Sequence, residues 1–389
     1  MHLSEDFVTS LRPIYYLSRF VGFSTLITPK FKQASLSVKL VLSVAYQITL
    51  MLIVVKSVND VLLSFYFNNP LPKFERLVLG LQITSVMLTN FMSWYKHILN
   101  AKSLIKIINQ LGTSSEEIEL LGHNIPYNLL IKTELTLIIC IAIYACVNFS
   151  QNTYMGENSY GIFIMVVCNA TLLCEFINCL FLIKYLFHLL NSKLVRYGNA
   201  SENDFSLSNL KRADRLLFKN VRSDFQPIKK ICELHRVLSK LCKEVNQFFA
   251  LPVLSSILHN ILNLTSFCYF VSSFTIDPPS DVNAYLVVSL STVLGIAIMS
   301  LVQLNFLAYI CSATSKEASF TGILVHGLLN SDLQPRMRKE LMIFSQQILH
   351  QKITFTAAGF FVIDFTLINN VIGAVTTYLV ILIQFQLST

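Results

Sequence analysis

The chain is 389 residues long, 53% hydrophobic and only 13% charged, with a mean hydropathy of +0.58. That balance excludes an ordinary soluble domain and marks a membrane protein. The net charge of +8 sits in connectors between apolar stretches and is not interleaved with aromatics on a polar face, which excludes a nucleic-acid partner.

In chain order, residues 1–37 read as a retained N-terminal segment with no cleavable signal peptide, because Asp6, Arg12, Arg19, Lys30 and Lys32 interrupt any apolar core. A spanning helix takes about 20 mostly apolar residues. Stretches at 38–58, 77–95, 126–149, 160–187, 245–274, 284–311 and 357–386 answer to that length and predict seven transmembrane helices. The expected class is an all-α membrane protein. Its parts are a segment 1–37, helices one to four in 38–187, a connector and helix extension in 188–244, and helices five and six in 245–311. A helical anchor in 312–356 and a last spanning helix in 357–389 complete it.

The side that retains Lys and Arg is normally cytoplasmic. Arg12, Arg19, Lys30, Lys32 and Lys39 precede the first span, a dozen basic residues lie between Lys193 and Lys243, and Lys316, Arg336, Arg338, Lys339 and Lys352 precede the last. The opposite loops hold only Lys56, Lys73 and Arg76. The N-terminus is therefore expected inside and the C-terminus outside, the inverse of G-protein-coupled receptors.

Within the cytoplasmic connectors, residues 201–209 read as a polar loop. From Phe225 the pattern changes. Ile231, Leu234, Leu238, Leu241, Val245 and Phe248 recur at spacings 3, 4, 3, 4, 3, which keeps one apolar seam along a helix continuing span five. Met337, Leu341, Phe344 and Ile348 recur at 4, 3, 4. These seams predict a cytoplasmic helical bundle, packed either within one chain or between subunits.

The chain has no GxGxxG, GxxxxGK, HExxH or CxxC, so it calls for no catalytic residues, cofactor or metal and is not read as an enzyme. Its nine cysteines suggest no disulfide framework. Polar groups inside spans are costly and draw attention instead. Glu175 is the most expensive, and is expected to face the bundle interior near Asn178 or a polar group of another span. Gln47, Asn169, Asn260 and Asn263 are similar cases, while Glu134 and Lys132 are expected to snorkel to the inner interface. The outward halves of spans three to six carry Tyr144, Asn148, Tyr160, Phe163, Tyr269, Phe270, Tyr285 and Ser289. Such residues form either an interfacial aromatic belt or the wall of a small-molecule pocket. With Asn169, and without Phe270, they are the candidate ligand-binding residues.

On the last span, Asn370, Gly373, Thr377, Ile381, Gln384 and Ser388 share one face at spacings 3, 4, 4, 3, 4. A mixed polar stripe on an apolar helix lines a water path if copies surround an axis, or packs on other spans of its own chain.

The stretch "TYLVILIQF", Thr377–Phe385, resembles the C-terminal signature of insect gustatory receptors, with Thr, Tyr, Gln and Phe all in place. "GFFVID", Gly359–Asp364, is similar to the stretch those receptors carry where the last helix enters the membrane, and "YLSRFVGF", Tyr16–Phe23, looks like their opening motif. The resemblance implies a ligand-gated, non-selective cation channel in the plasma membrane, assembled as a homotetramer or as a heteromer with other gustatory receptors. Its implied partners are a small-molecule tastant, permeating cations and the lipid bilayer. It further implies a ligand pocket in the outer half of each subunit, cytoplasmic helices at subunit contacts, and a last helix around the pore. Gln384 and Phe385 would then form the outer gate, with Thr377 and Ile381 lining the pore below and Ser388 ending the stripe. Sugar-sensing members carry an acidic residue after the signature Tyr, where this chain has Leu379. That weakens a canonical-sugar assignment and leaves bitter plant compounds, fructose-like ligands or another stimulus. An olfactory-type channel subunit and a seven-span receptor without its own pore are the alternatives.

Overall fold

The computed structural model describes residues 4–23, 38–67, 73–122, 125–154, 160–202, 225–276, 284–330 and 333–388. Two short helices open the chain, α1 (Glu5–Ser10) and α2 (Arg12–Phe20). The long elements follow: α3 (Val38–Phe67), α4 (Lys73–Leu99), α5 (Ala101–Leu120), α6 (Tyr127–Tyr154), α7 (Tyr160–Glu202), α8 (Phe225–Ile276) and α9 (Ala284–Leu329). Helix α10 (Pro335–His350) leads into a hairpin of β1 (Thr356–Ala357) and β2 (Phe361–Val362), and α11 (Thr366–Ser388) ends the chain.

Local chemistry sets several of these boundaries. The Ser4 side chain accepts from the Phe7 backbone N–H and caps α1. Pro335 opens α10, where its missing N–H costs nothing. The stretch expected to begin the last span at 357 instead turns back on itself. Ala357 pairs antiparallel with Phe361, and Gly359 closes the turn at φ +82°, a conformation other residues rarely adopt. Asp364 then accepts from Thr366 N at 2.8 Å and starts α11. The helix therefore begins nine residues later than periodicity predicts.

Among the described residues, five helical stretches are long and apolar enough to cross a membrane: Tyr127–Cys146, Phe163–Arg196, Gln226–Ser273, Leu290–Leu329 and Thr366–Gln384. Helices α3 and α4, of 30 and 27 residues, fall outside these five. They nonetheless expose Leu42, Leu52, Leu81, Leu88 and Phe91, as lipid-facing helices do. Helix α7 lies at the centre, packed on α3, α6, α8 and α9. Its close approach to α3 depends on Gly161, whose N–H reaches Ser57 Oγ at 3.1 Å. A Cβ there would stand 2.5 Å from the Ser57 Cβ.

Helices α7, α8 and α9 run on without a break past the expected span ends. The α8 seam is buried inside this chain, with Ile231, Leu234, Leu238, Leu241, Val245 and Phe248 no more than 3% exposed. Met337, Leu341 and Phe344 of α10 are likewise buried, and Ile348 packs beside them. Arg236 Nε donates to Gln347 Oε1 at 2.7 Å, tying α8 to α10. Of the two expected packings, the seams take the one within the chain. Burying six large apolar side chains contributes on the order of 10 kcal/mol before chain entropy is counted. The expected polar loop from residue 203 onward lies outside the described residues.

Candidate functional site

The opening motif is the first feature to acquire a role. Two residues beyond α2, Gly22 adopts φ +88°, and side chains of α3 and α4 hold three successive carbonyls of the motif. Tyr46 Oη donates to Phe20 O at 2.6 Å, Trp94 Nε1 to Val21 O at 2.9 Å, and Gln47 Nε2 to Gly22 O. A Cβ on Gly22 would meet Gln47 Cγ at 3.2 Å. Phe23 then stacks on the His97 ring at 4.6 Å.

Glu175, the expensive span carboxylate, closes this arrangement. It accepts from Ser18 Oγ and pairs with His97 Nε2 at 2.8 Å. His97 Nδ1 donates to Ser93 O at 2.7 Å. With Nδ1 protonated, the short contact to Glu175 needs one more proton, on Nε2 or on the carboxyl. Either placement leaves the pair neutral overall, which is how an apolar interior tolerates it. Phe248 packs an edge against the imidazole at 5.2 Å. The expected interior hydrogen bond of Glu175 is present, but with Ser18 and His97. These partners lie 157 and 78 residues away, and no spacing rule connects them.

Glu134 departs from expectation. It is 3% exposed, and its Oε2 has no hydrogen-bond partner among the described residues. It does not snorkel because α1 and α2 fold over that end of α6 and cover it.

A second polar chain crosses the middle of α4, α8 and α9. His259 Nδ1 lies 2.9 Å from Ser85 Oγ, and Ser85 Oγ donates to Gln82 O at 2.7 Å. Asn263 Nδ2 faces His259 Nε2 at 3.1 Å and Ser300 Oγ at 3.2 Å. Gln82 Nε2 donates to Asn263 Oδ1 at 3.3 Å. Donors and acceptors match throughout when His259 is neutral with its proton on Nδ1. Asn169 Oδ1 accepts from Ser256 Oγ at 2.8 Å, joining α7 to α8 about one helical turn from His259.

Of the candidate ligand residues, Asn169 and Tyr269 are buried and Tyr144 and Phe163 half-buried; they lie on α6, α7 and α8, and α7 packs on each of the other two. The side chains of Asn148, Tyr160, Tyr285 and Ser289 lie outside the described residues. So do those of Phe385 and Ser388.

The remaining gate candidates share an open surface. Thr377, Ile381 and Gln384 are exposed, as are Asn370 and Gly373 of the same stripe. Leu367 and Val371, on a different face of α11, are buried at 3% and 4%. The other expected packing, stripe against the chain's own spans, does not occur among the described residues. The threonine hydroxyls bond back along the helix, Thr376 to Ile372 O at 2.8 Å and Thr377 to Gly373 O at 2.9 Å.

Known proteins match this arrangement. The 7tm Chemosensory receptor model matches residues 11–389. Over 166 residues the chain is 30% identical to putative gustatory receptor 28a of Drosophila melanogaster, covering 41% of this chain and 35% of that protein. It is 28% identical over 173 residues to the gustatory receptor for bitter taste 66a of Drosophila melanogaster, covering 42% of this chain and 31% of that protein. The matched part thus spans about a third of these relatives' length. The olfactory receptor OR5 from Machilis hrabei, solved in complex with eugenol, superposes with a TM-score of 0.65 over 98% of this chain and 100% of its own, at 10% identity. That likeness shows the fold. With nearly its whole length matched to the family model and gustatory receptors among its relatives, the chain belongs to the insect 7tm chemosensory receptor family.

Proposed function

We propose that this receptor is a ligand-gated, non-selective cation channel of the plasma membrane, a homotetramer of seven-span subunits with α3 and α4 as the first two spans. Its ligand is a small-molecule tastant, a bitter plant compound or a fructose-like molecule, bound in the outer half of each subunit among Tyr144, Phe163, Asn169 and Tyr269.

One observation carries the reading. Helix α11 turns Asn370, Thr377 and Gln384 away from its own subunit while burying Leu367 and Val371. Amide side chains left against lipid are costly, whereas copies around an axis would place the same stripe on a shared aqueous path. The signature residues Gln384 and Phe385 then stand at the outer end as the gate. A relative named for bitter taste and Leu379 in place of an acidic residue support the ligand class.

Recording from the purified protein in planar bilayers tests the channel. Ligand-evoked cation current is expected, and its absence in reconstituted, tetrameric protein removes the proposal. Orientation is tested separately by tags. A C-terminal tag should be labelled on intact cells and an N-terminal tag should not. An olfactory-type ligand is the second reading, favoured by the fold shared with a eugenol-bound receptor. A screen of tastants and plant volatiles on cells expressing this chain alone separates the two.

A further inference from the structure

At the end of the bundle where α2 docks, away from the outer-half residues, lies a cavity of about 60 Å³ between α2, α5, α7 and α8. Its wall is mostly apolar, with Leu11, Leu104, Leu111 and Phe249 among its lining, and its polar groups are few. Asn178 lines it with an Nδ2 that is buried and has no partner among the described residues. Glu175 lines it too, one carboxylate oxygen engaged by Ser18 and the other by His97. A carboxylate oxygen accepts more than one hydrogen bond, so Glu175 retains acceptor capacity.

The volume is room for about four to six water-sized atoms. Water fits this lining poorly, because each molecule needs two to four polar partners, and Tyr15, Ser18, Glu175 and Asn178 are too few to supply several molecules, with Ser18 Oγ already donating to Glu175 and Tyr15 Oη accepting from Arg19. One occupant with a single polar atom and a short carbon chain fits better. That atom must accept from the amide and donate to the carboxylate. A ketone oxygen cannot donate, and an ammonium cannot accept. A hydroxyl does both.

We infer that this cavity binds a small aliphatic alcohol, its hydroxyl between Asn178 Nδ2 and the Glu175 carboxylate and its chain against Leu104 and Phe249. Leu11 and Cys179 are only half-buried, which leaves the rim open to entry. The occupant would rest against the Ser18–Glu175–His97 contacts that tie the N-terminal helices to α4, in a place distinct from the proposed tastant pocket.

Photolabelling of the purified full-length receptor with azibutanol, mapped by peptide mass spectrometry, tests this. Adducts are expected on peptides carrying Leu11 to Tyr15 and Cys179. Excess butanol should reduce them about fivefold, and chlorobutane, which lacks the hydroxyl, should not. Asn178→Leu should lower the yield by about the same factor, the worth of one hydrogen bond. Adducts confined to other regions overturn the inference, as does equal competition by chlorobutane and butanol. The competition uses the unmodified protein, so it stands even where Asn178→Leu fails to fold. No current is recorded, so a failure here leaves the channel reading untouched, and a receptor without current leaves this site untouched.

Discussion

Helices α8 and α11 both carry a regular stripe, and the chain treats the two stripes in opposite ways. The α8 seam is apolar and is buried by α7, α9 and α10 of the same chain. The α11 stripe is mixed polar and remains open. Only 11% of the apolar stretch of α11 is buried, against 78% in α7. The chain thus completes its interior around α7 and α8 and leaves most of the surface of α11 exposed. If the receptor conducts as proposed, stability and conduction should reside in different helices, and substitutions can pull them apart.

The largest effect is expected from Leu238→Glu with Leu241→Glu. Each change places an unpaired charge where exposure is 0%, at about 3–5 kcal/mol apiece. Monodisperse protein should disappear from size-exclusion profiles. A normal profile would show that α8 is not the folding core and would break the contrast.

Next comes Glu175→Leu. It strips Ser18 and His97 of their shared acceptor, and one orphaned partner in a buried pair costs about 3 kcal/mol. A thermal unfolding scan should show a clear fall in Tm. Adding His97→Leu should restore part of the loss, because the two groups are coupled. Purely additive losses would mean that the pair is not a unit.

Phe385→Ala on α11 should leave the thermal profile within about 0.5 kcal/mol of the unmodified receptor and should instead change current. In the proposed homotetramer, four aromatic side chains would close a path that four methyl groups leave wet, so resting cation leak is expected without ligand. Unaltered resting and evoked currents in a well-expressed variant would remove α11 from the pore.

The smallest effect is expected from Gln384→Leu. It should reduce evoked current without altering expression or Tm, since an open path without its amide ring dewets more readily. A destabilised protein would indicate that Gln384 packs inside the subunit after all.

Much of this architecture is legible in the residues themselves. Apolar length predicts the long helices, and 3-4 spacing predicts both the α8 seam and the α11 stripe, because these are local properties of a helix 3.6 residues per turn. The family motif is equally local. Helix ends read less well: the hairpin at Thr356–Val362 hides in an apolar run, and its turn at Gly359 has a neighbour, Ala358, that gives no warning of φ 50°.

Partners across the chain could not be read at all. Ser18, His97 and Glu175 become one neutral cluster, and Gln82, His259, Asn263 and Ser300 one matched chain, only after distant helices meet. Glu134 departs from the expected snorkelling for the same reason, since its burial is decided by helices more than a hundred residues earlier in the chain. Membrane residence, the apolar faces of the helices and the family signature are all written in the residues, because composition and period act residue by residue. Tertiary structure alone decided which stripe is buried and which is left open, because burial belongs to the packing of helices against one another and not to any one of them.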